Sequence, residues 1–152
     1  MPDKYDSLKL DNQLCFPLYA CSKEIVRMYK PFLDDIDLTY TQYITMMVMW
    51  EVGEINVKSL GERLYLDSGT LTPLLKKLES KGYVLRSRSS EDERNVIIKL
   101  TSEGKKLKDR AVCIPEKMAG CVHLSKDEAF ELYRLLHKVL SGCSETEGRK
   151  DV

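Results

Sequence analysis

Residues 57–101 read VKSLGERLYLDSGTLTPLLKKLESKGYVLRSRSSEDERNVIIKLT, and this stretch decides the fold. Over Lys58 to Leu66, the apolar residues Leu60, Leu64 and Tyr65 fall at helical spacing. Asp67, Ser68 and Gly69 then interrupt the pattern with turn and N-cap chemistry. Leu71, Leu74, Leu75 and Leu78 follow at i, i+3, i+4 and i+7, a stripe that buries one face of a second helix. Gly82 supplies its stop. Tyr83 to Arg88 and Val96 to Leu100 are short strand candidates, and Ser89 to Asn95 is polar enough to be the loop between them.

Helix, turn, helix and a two-stranded hairpin, in that order, make a winged helix-turn-helix. The outer face of the second helix carries Ser68, Thr70, Thr72, Lys76 and Lys77. Small hydroxyls near a helix start can reach base edges in a major groove, and lysine reaches phosphate. Arg86, Arg88 and Arg94 lie in the wing, placed for the DNA backbone or a narrowed minor groove. The alternative is a helical hairpin with an ordinary solvated face, because many such units bind only protein.

Net charge is zero, which taken alone argues against a nucleic-acid partner. The distribution reverses that inference. Residues 57–110 hold 13 Lys and Arg against 8 Asp and Glu, and the remainder holds 11 against 16. Positive charge therefore gathers on the reading module, as a directed DNA-binding face requires.

The 152 residues suit a single domain, with helices over about 8–37 and 102–142 flanking a core of about 38–101. The fold class is mainly α with a small β wing. No run is long and apolar enough to span a bilayer, and Met1-Pro2-Asp3-Lys4-Tyr5-Asp6 is not a signal peptide, so the expected location is cytoplasmic. No glycine-rich phosphate loop, catalytic triad or recognisable carboxylate pair is present, so neither an enzyme nor a cofactor is expected. Cys121-x-His123 with Cys113 lacks a fourth ligand and the spacing of a zinc site, so no metal is expected either.

Outward from the module, Leu14, Leu18, Cys21, Ile25, Met28 and Phe32 are spaced 4, 3, 4, 3, 4 within a helix-like run from Leu10 to Leu33. That alternation is a seam suited to another helix or another subunit. Asp11 and Asn12 are candidate N-caps. Pro17 then falls past the first turn, which predicts a kink or a later start, and Pro31 marks a second kink or the end. Cys15 sits just off the seam with Tyr19 one turn on. As a thiol near a helix N-terminus it is either a reactive sulfur or a small hydrophobe.

Thr39 and Gln42 form a capping box opening a helix apolar nearly all round, with Tyr43, Met46, Met47, Met49 and Trp50, that ends near Gly53. Beyond the wing, Thr101 caps a helix whose apolar face runs from Leu107 to Cys121, bent at Pro115. Ser125 and Glu128 form a second box opening a helix with Ala129, Leu132, Tyr133, Leu136, Val139 and Leu140, expected to end at Ser141-Gly142 before a polar tail. These stripes are wider than one small module can cover, and a shared homodimer interface is their natural use. Dimeric helix-turn-helix proteins present two reading helices about one DNA turn apart, to pseudo-palindromic operators.

Asp92-x-Arg94 followed by Leu100-Thr101-x-x-Gly104 resembles the wing and post-wing signature of the MarR family of transcriptional regulators. The run from Leu66 to Glu79 resembles the recognition helix of its organic-hydroperoxide-sensing OhrR branch, as do Asn12-Gln13-Leu14-Cys15-Phe16 and Leu38-Thr39-Tyr40. The likeness covers about Leu8 to Leu140, with Pro17 as a departure. It implies a homodimeric repressor that releases operator DNA when Cys15 is oxidised, with Tyr29 of the partner subunit and Tyr40 of the partner subunit hydrogen-bonded to that thiol. Tyr19 joins them as a flanking member of the network. Phenols donating to a thiolate favour its charged form, and the alkyl group of a hydroperoxide would pack on Phe16, Met46 or similar neighbours.

Structural disulfides are unexpected in a cytosolic chain with five cysteines. Cys21 is expected in the core, and Cys143 in the tail. Cys113 or Cys121 could resolve an oxidised Cys15 from the other subunit, or a low-molecular-weight thiol could do so; the sequence leaves these open. Asp92 is expected to pair with Arg94 and hold the hairpin's shape. Two other readings stand beside the redox sensor: a MarR-type regulator gated by a small aromatic ligand with Cys15 incidental, and a thiol peroxidase, which the absence of a reductase-facing Cys-x-x-Cys disfavours.

Overall fold

The computed structural model describes Met1 and residues 3–147, with side chains through Ser144. Two short 3-10 turns, Asp6–Leu8 and Leu10–Asn12, precede helix α1 (Cys15–Asp34). Helix α2 (Tyr40–Val52), strand β1 (Glu54–Asn56), α3 (Val57–Leu64), α4 (Ser68–Ser80), β2 (Val84–Arg88), β3 (Val96–Leu100) and α5 (Ser102–Ala111) follow. α6 (Ile114–Cys121) and α7 (Lys126–Glu147) complete the described chain. Contacts divide it into two compact units, Met1–Pro115 and the residues from Glu116 onward.

The first unit is the winged helix-turn-helix with α1 leading into it. Leu71, Leu74, Leu75 and Leu78 of α4 are buried together with Met46 and Met49 of α2, Leu60 of α3, Val84 and Ile98 of the sheet, and Leu107 of α5. Each such side chain contributes about 1.5–3 kcal/mol on leaving water, so the α4 stripe alone outweighs any single polar contact in the module.

Local chemistry sets each boundary. Thr39 Oγ1 accepts the Gln42 N–H at 3.3 Å while Gln42 Oε1 accepts the Thr39 N–H at 3.0 Å, the reciprocal box read from the sequence. Gly53, at φ 74°, ends α2. Asn56 Oδ1 accepts the Ser59 N–H and caps α3, and Asp67 Oδ1 accepts the Thr70 N–H and caps α4. Ser125 and Glu128 make the second reciprocal box, at 2.8 and 3.2 Å, ahead of α7.

Several expectations are corrected. The sheet has three strands in the order β1-β3-β2, since Glu54–Asn56 pairs antiparallel with β3 as Ile55 opposite Ile98. Tyr65 is not on the buried stripe of α3: it adopts φ 54° at the helix end and is exposed. α1 starts at Cys15, with Asp11 and Asn12 in the preceding 3-10 turn rather than capping it. Pro17 thereby becomes the third helical residue, whose N–H would have no acceptor within the helix, and it is accommodated there. Pro31 lies inside the helix, which continues to Asp34. Pro115 does not bend one long helix: the chain breaks at Val112 and Cys113, and Pro115 stands in the first turn of α6. α7 runs past Ser141-Gly142 to Glu147, so Cys143 is helical; the rest of the expected tail lies outside the described residues.

The post-wing signature has a physical reading. Thr101 Oγ1 accepts the Gly104 N–H at 3.0 Å, capping α5, and donates to the Gly82 carbonyl at 2.6 Å. A Cβ on Gly104 would lie 2.3 Å from the Tyr83 carbonyl oxygen, so only glycine lets α5 sit this close to the turn before β2. Trp50 Nε1 donates to the Gly104 carbonyl at 2.8 Å and ties α2 to the same point.

Candidate sensor and nucleic-acid interface

The reading face is built by α4. Its apolar stripe is buried, and Ser68, Thr70, Thr72, Lys76 and Lys77 are all exposed. Thr70 Oγ1 donates to Asp67 Oδ2 at 3.3 Å and Thr72 Oγ1 donates to the Ser68 carbonyl at 2.8 Å, so both hydroxyls are oriented by their own helix. The Thr70 backbone N–H, foremost, and the Thr70 hydroxyl hold Asp67 below the usual carboxylate range. Lys77 lines a shallow cleft with Asp34, Asp37 and Lys81, which distinguishes its surroundings from those of Lys76.

The wing divides its three arginines. Arg88 and Arg94 are exposed. Arg86 is half-buried: its Nε donates to Glu79 Oε2 at 2.9 Å, and its backbone N–H donates to Glu79 Oε1 at 3.3 Å. Reach to Glu79 makes the difference, because Arg86 and Arg88 lie on the same side of β2. Val84 and Arg86 lie opposite Leu100 and the buried Ile98, so Arg86 closes over the core beside Glu79, whereas Arg88 lies farther along the strand, opposite Val96. Asp92 Oδ1 accepts the Arg94 backbone N–H at 3.0 Å, and the Asp92 carbonyl accepts the Asn95 N–H. The Asp92–Arg94 link is thus a turn-closing bond to backbone, with the Arg94 side chain exposed.

The sensor residues fall in two places. Cys15 is exposed in the first turn of α1, whose N-cap residue Leu14 gives no side-chain cap. Tyr19 is exposed one turn on, with Lys23 Nζ 5.2 Å from its ring centroid. Tyr29 and Tyr40 lie together, ring centroids 5.0 Å apart, and Tyr43 joins Tyr29 at 5.8 Å. Burial raises the Tyr29 and Tyr40 phenols above their ordinary value, and burial with neighbouring Tyr29, Tyr40 and Cys113 pushes Tyr43 up to about 12. All three are firm proton donors at neutral pH.

One chain does not unite the two places. Cys15 and Tyr29 are separated by fourteen residues of one helix, roughly 21 Å at 1.5 Å per residue. Two further expectations change. Met46 is fully buried, so it cannot line an open pocket, whereas Phe16 is exposed. Cys21 is exposed on the seam and not in the core. Of the two resolving candidates, Cys113 is exposed at the α5–α6 break near Tyr43, and Cys121 Sγ faces the Lys117 carbonyl at 3.4 Å within α6. Sequence reasoning gave Glu79 and Asn56 no role of their own and read Gly104 only as part of a signature. The signal for Glu79 was present, as an acid seven residues before an inward-facing strand arginine.

Residues 27–111 match the family described as transcriptional regulator SarA/Rot. The chain belongs to this family of MarR-like winged-helix regulators. The family member is 48% identical over 140 residues to the organic hydroperoxide resistance transcriptional regulator of Bacillus subtilis, covering 92% of this chain and 95% of that protein. It is 45% identical to the HTH-type transcriptional regulator SarZ of Staphylococcus aureus over 93% of this chain and 95% of SarZ. Among solved structures, reduced AbfR bound to DNA superposes with a TM-score of 0.78 at 31% identity, covering 95% of this chain and 99% of that one. AbfR, from Staphylococcus epidermidis, is also known in an overoxidised DNA-bound form and in a disulfide form.

Proposed function

We propose that this regulator is a cytoplasmic homodimeric repressor that holds a pseudo-palindromic DNA operator while Cys15 is reduced and releases it when an organic hydroperoxide oxidises Cys15. The observation that carries the reading is the separation of Cys15 from the Tyr29–Tyr40 pair along one uncovered helix. Leu14 is 79% exposed, and Ile25 and Cys21 are exposed with it. Two chains joined antiparallel along that seam would bring Cys15 of each against the tyrosine pair of the other, with Tyr19 alongside. The kinship with the hydroperoxide-resistance regulator and with AbfR supports the same chemistry.

The step balances as follows. The Cys15 thiolate attacks the distal oxygen of ROOH, the O–O bond breaks, and alkoxide leaves to be protonated to ROH. The sulfur becomes a sulfenic acid, oxidised by two electrons. A second thiol then attacks that sulfur, forming a disulfide and releasing water. Cys113 is the favoured second thiol over Cys121 because it stands beside Tyr43, and hence beside the tyrosine pair that would receive the other copy's Cys15; a low-molecular-weight thiol is the other candidate. Oxidation removes the thiolate those phenols would bind, and a small rotation at the seam moves both reading helices out of phase with the DNA. On the DNA, Thr70, Thr72 and Ser68 would face base edges, while Lys76, Lys77, Arg88 and Arg94 would meet phosphate or the minor groove.

The test uses a duplex enriched by the wild-type protein from a random-sequence pool. Wild type should release it on addition of cumene hydroperoxide, and Cys15→Ser should bind with nearly the same affinity and stay bound, since serine keeps the size and loses the thiolate. Release of the serine variant would remove Cys15 from the switch.

A further inference from the structure

The Glu79–Arg86 pair joins the last turn of the reading helix to the first strand of the wing, and neither the family comparison nor the DNA-facing side chains account for it. Glu79 takes two bonds from one residue, the Arg86 guanidinium at 2.9 Å and the Arg86 backbone amide at 3.3 Å. Both side chains are about one-third exposed or less, at 34% and 27%. Arg86 holds Glu79 below the usual carboxylate range, so the pair is fully charged at neutral pH.

Among the described residues, β1 holds β3 at Ile97, Ile98 and Lys99, and the outer β2 edge of the wing is bonded to the α4 end at the turn at Gly82 and Tyr83. There Thr101 donates its hydroxyl to the Gly82 carbonyl and its N–H to the Tyr83 carbonyl, and the Tyr83 N–H donates to the Leu78 carbonyl. With β3 held by β1, the turn alone leaves the outer β2 edge, and the hairpin beyond Ile97, room to tilt. A second anchor, three residues along β2, removes that freedom. From Arg86 to the hairpin tip near Arg94 the lever is roughly 15 Å at about 3.4 Å per strand residue. A tilt of about 10° would move the tip by about 2.6 Å, more than a hydrogen bond tolerates.

We propose that Glu79 is a positioning residue: through Arg86 it sets the pitch of the wing relative to α4, so that Arg94 and the α4 hydroxyls engage one duplex in register. The assignment rests on the DNA-binding reading above. It differs from a plain stability role in what it moves. A structural ion pair would alter melting temperature alone, whereas a pitch-setting pair alters where the wing lands on DNA.

The measurement is a hydroxyl-radical footprint with parallel affinities, well below the melting temperature, on the wild-type-enriched duplex and on unselected random duplex. For Glu79→Ala the protection at the flanks, under the wing, should fade while the central protection under α4 persists. Preference for the enriched over the random duplex should fall about tenfold, a typical coupling for groups in direct contact. Arg86→Ala should do the same, and the double variant should be no worse than either single one, because each removes the same link. Should Glu79→Ala fail to fold, Glu79→Gln keeps an acceptor for the Arg86 amide, loses the charge, and is expected to show the same flank-selective loss. Flank protection and preference equal to wild type in the folded variant would overturn the assignment alone. A wild-type protein that enriches no duplex would overturn the DNA-binding reading, and this assignment with it.

Discussion

The reading module and the sensor helix solve opposite problems. Between Thr39 and Ala111 the chain satisfies itself: each of α2, α3, α4 and α5 begins at a side-chain cap, the sheet closes on both sides of β3, and the α4 leucines are buried. α1 is the reverse. It begins without a cap, and Leu14, Phe16, Tyr19, Ile25 and Val26 are exposed along it. A surface of that apolarity suits a covering partner, and in the dimer proposed above the module's stability belongs to one chain and the sensor's geometry to two. On the proposed function, the difference says where a mutation acts: on folding in the first region, on association and redox response in the second.

The harshest way to break the comparison is at Gly104. A methyl there meets the Tyr83 carbonyl oxygen at 2.3 Å and Leu100 Cδ1 at 2.6 Å, and the first of these is backbone that cannot swing aside. Gly104→Ala should lower the unfolding free energy by about 3 kcal/mol, at the upper end of overpacking effects, and should shift Trp50 emission because its indole bond is to the same carbonyl. Ile25→Glu, on the uncovered seam, should leave denaturation of the isolated chain unchanged and instead abolish dimer in sedimentation. Equal melting losses in both variants would erase the distinction drawn between the regions.

How much of this was legible in sequence follows from the range of the interactions. The two capping boxes, the α4 stripe and the wing are local patterns three or four residues deep, and they were read correctly. β1 was missed because three residues cannot display an alternation, and its strand character comes from pairing with β3, more than forty residues on. Arg86 was grouped with Arg88 and Arg94 because all three lie in the wing, and its pairing with Glu79 was not read, although its two-residue offset from the buried Val84 put it on the side of β2 that meets the core. Gly104 was legible as part of a signature but not as a contact, because the reason for it lies in the backbone of a distant turn. Cys15 presents the same difficulty one level higher, since in the proposed dimer its partners belong to a second chain.

Smaller effects sharpen the description of the module's outer face. Arg94→Ala should weaken binding to enriched and random duplex alike and flatten the dependence of log affinity on log salt by about one unit. Thr70→Ala should cost about 1–3 kcal/mol on the enriched duplex, relax preference at one base pair and leave the salt slope alone. The contrast between the two variants tests the division of α4 and wing into reading and anchoring parts. An unchanged salt slope in a folded Arg94→Ala variant would take the wing tip off the DNA.

The smallest effects separate the two regions by pH. In the module, Asp67 is held below its ordinary value of 3.8 by the Thr70 amide and hydroxyl, and Glu79 below 4.5 by Arg86. A depressed carboxylate contributes stability that is present above its unfolded-state value and is lost as pH falls through the lower folded value, so these two act on the acid limb. Under the sensor helix, burial raises Tyr29, Tyr40 and Tyr43 above 10.0, Tyr43 to about 12. A raised phenol contributes stability that is complete below its unfolded-state value and is lost as pH climbs from 10.0 through the folded value, so these act on the alkaline limb. Urea titrations followed by Trp50 fluorescence across pH therefore carry two independent signatures. Asp67→Asn, which keeps a capping oxygen, and Glu79→Gln should each flatten the acid limb and leave the alkaline one; Tyr43→Phe should do the reverse. An alkaline limb unaltered by Tyr43→Phe would mean that ionisation of the Tyr43 phenol does not bear on folding.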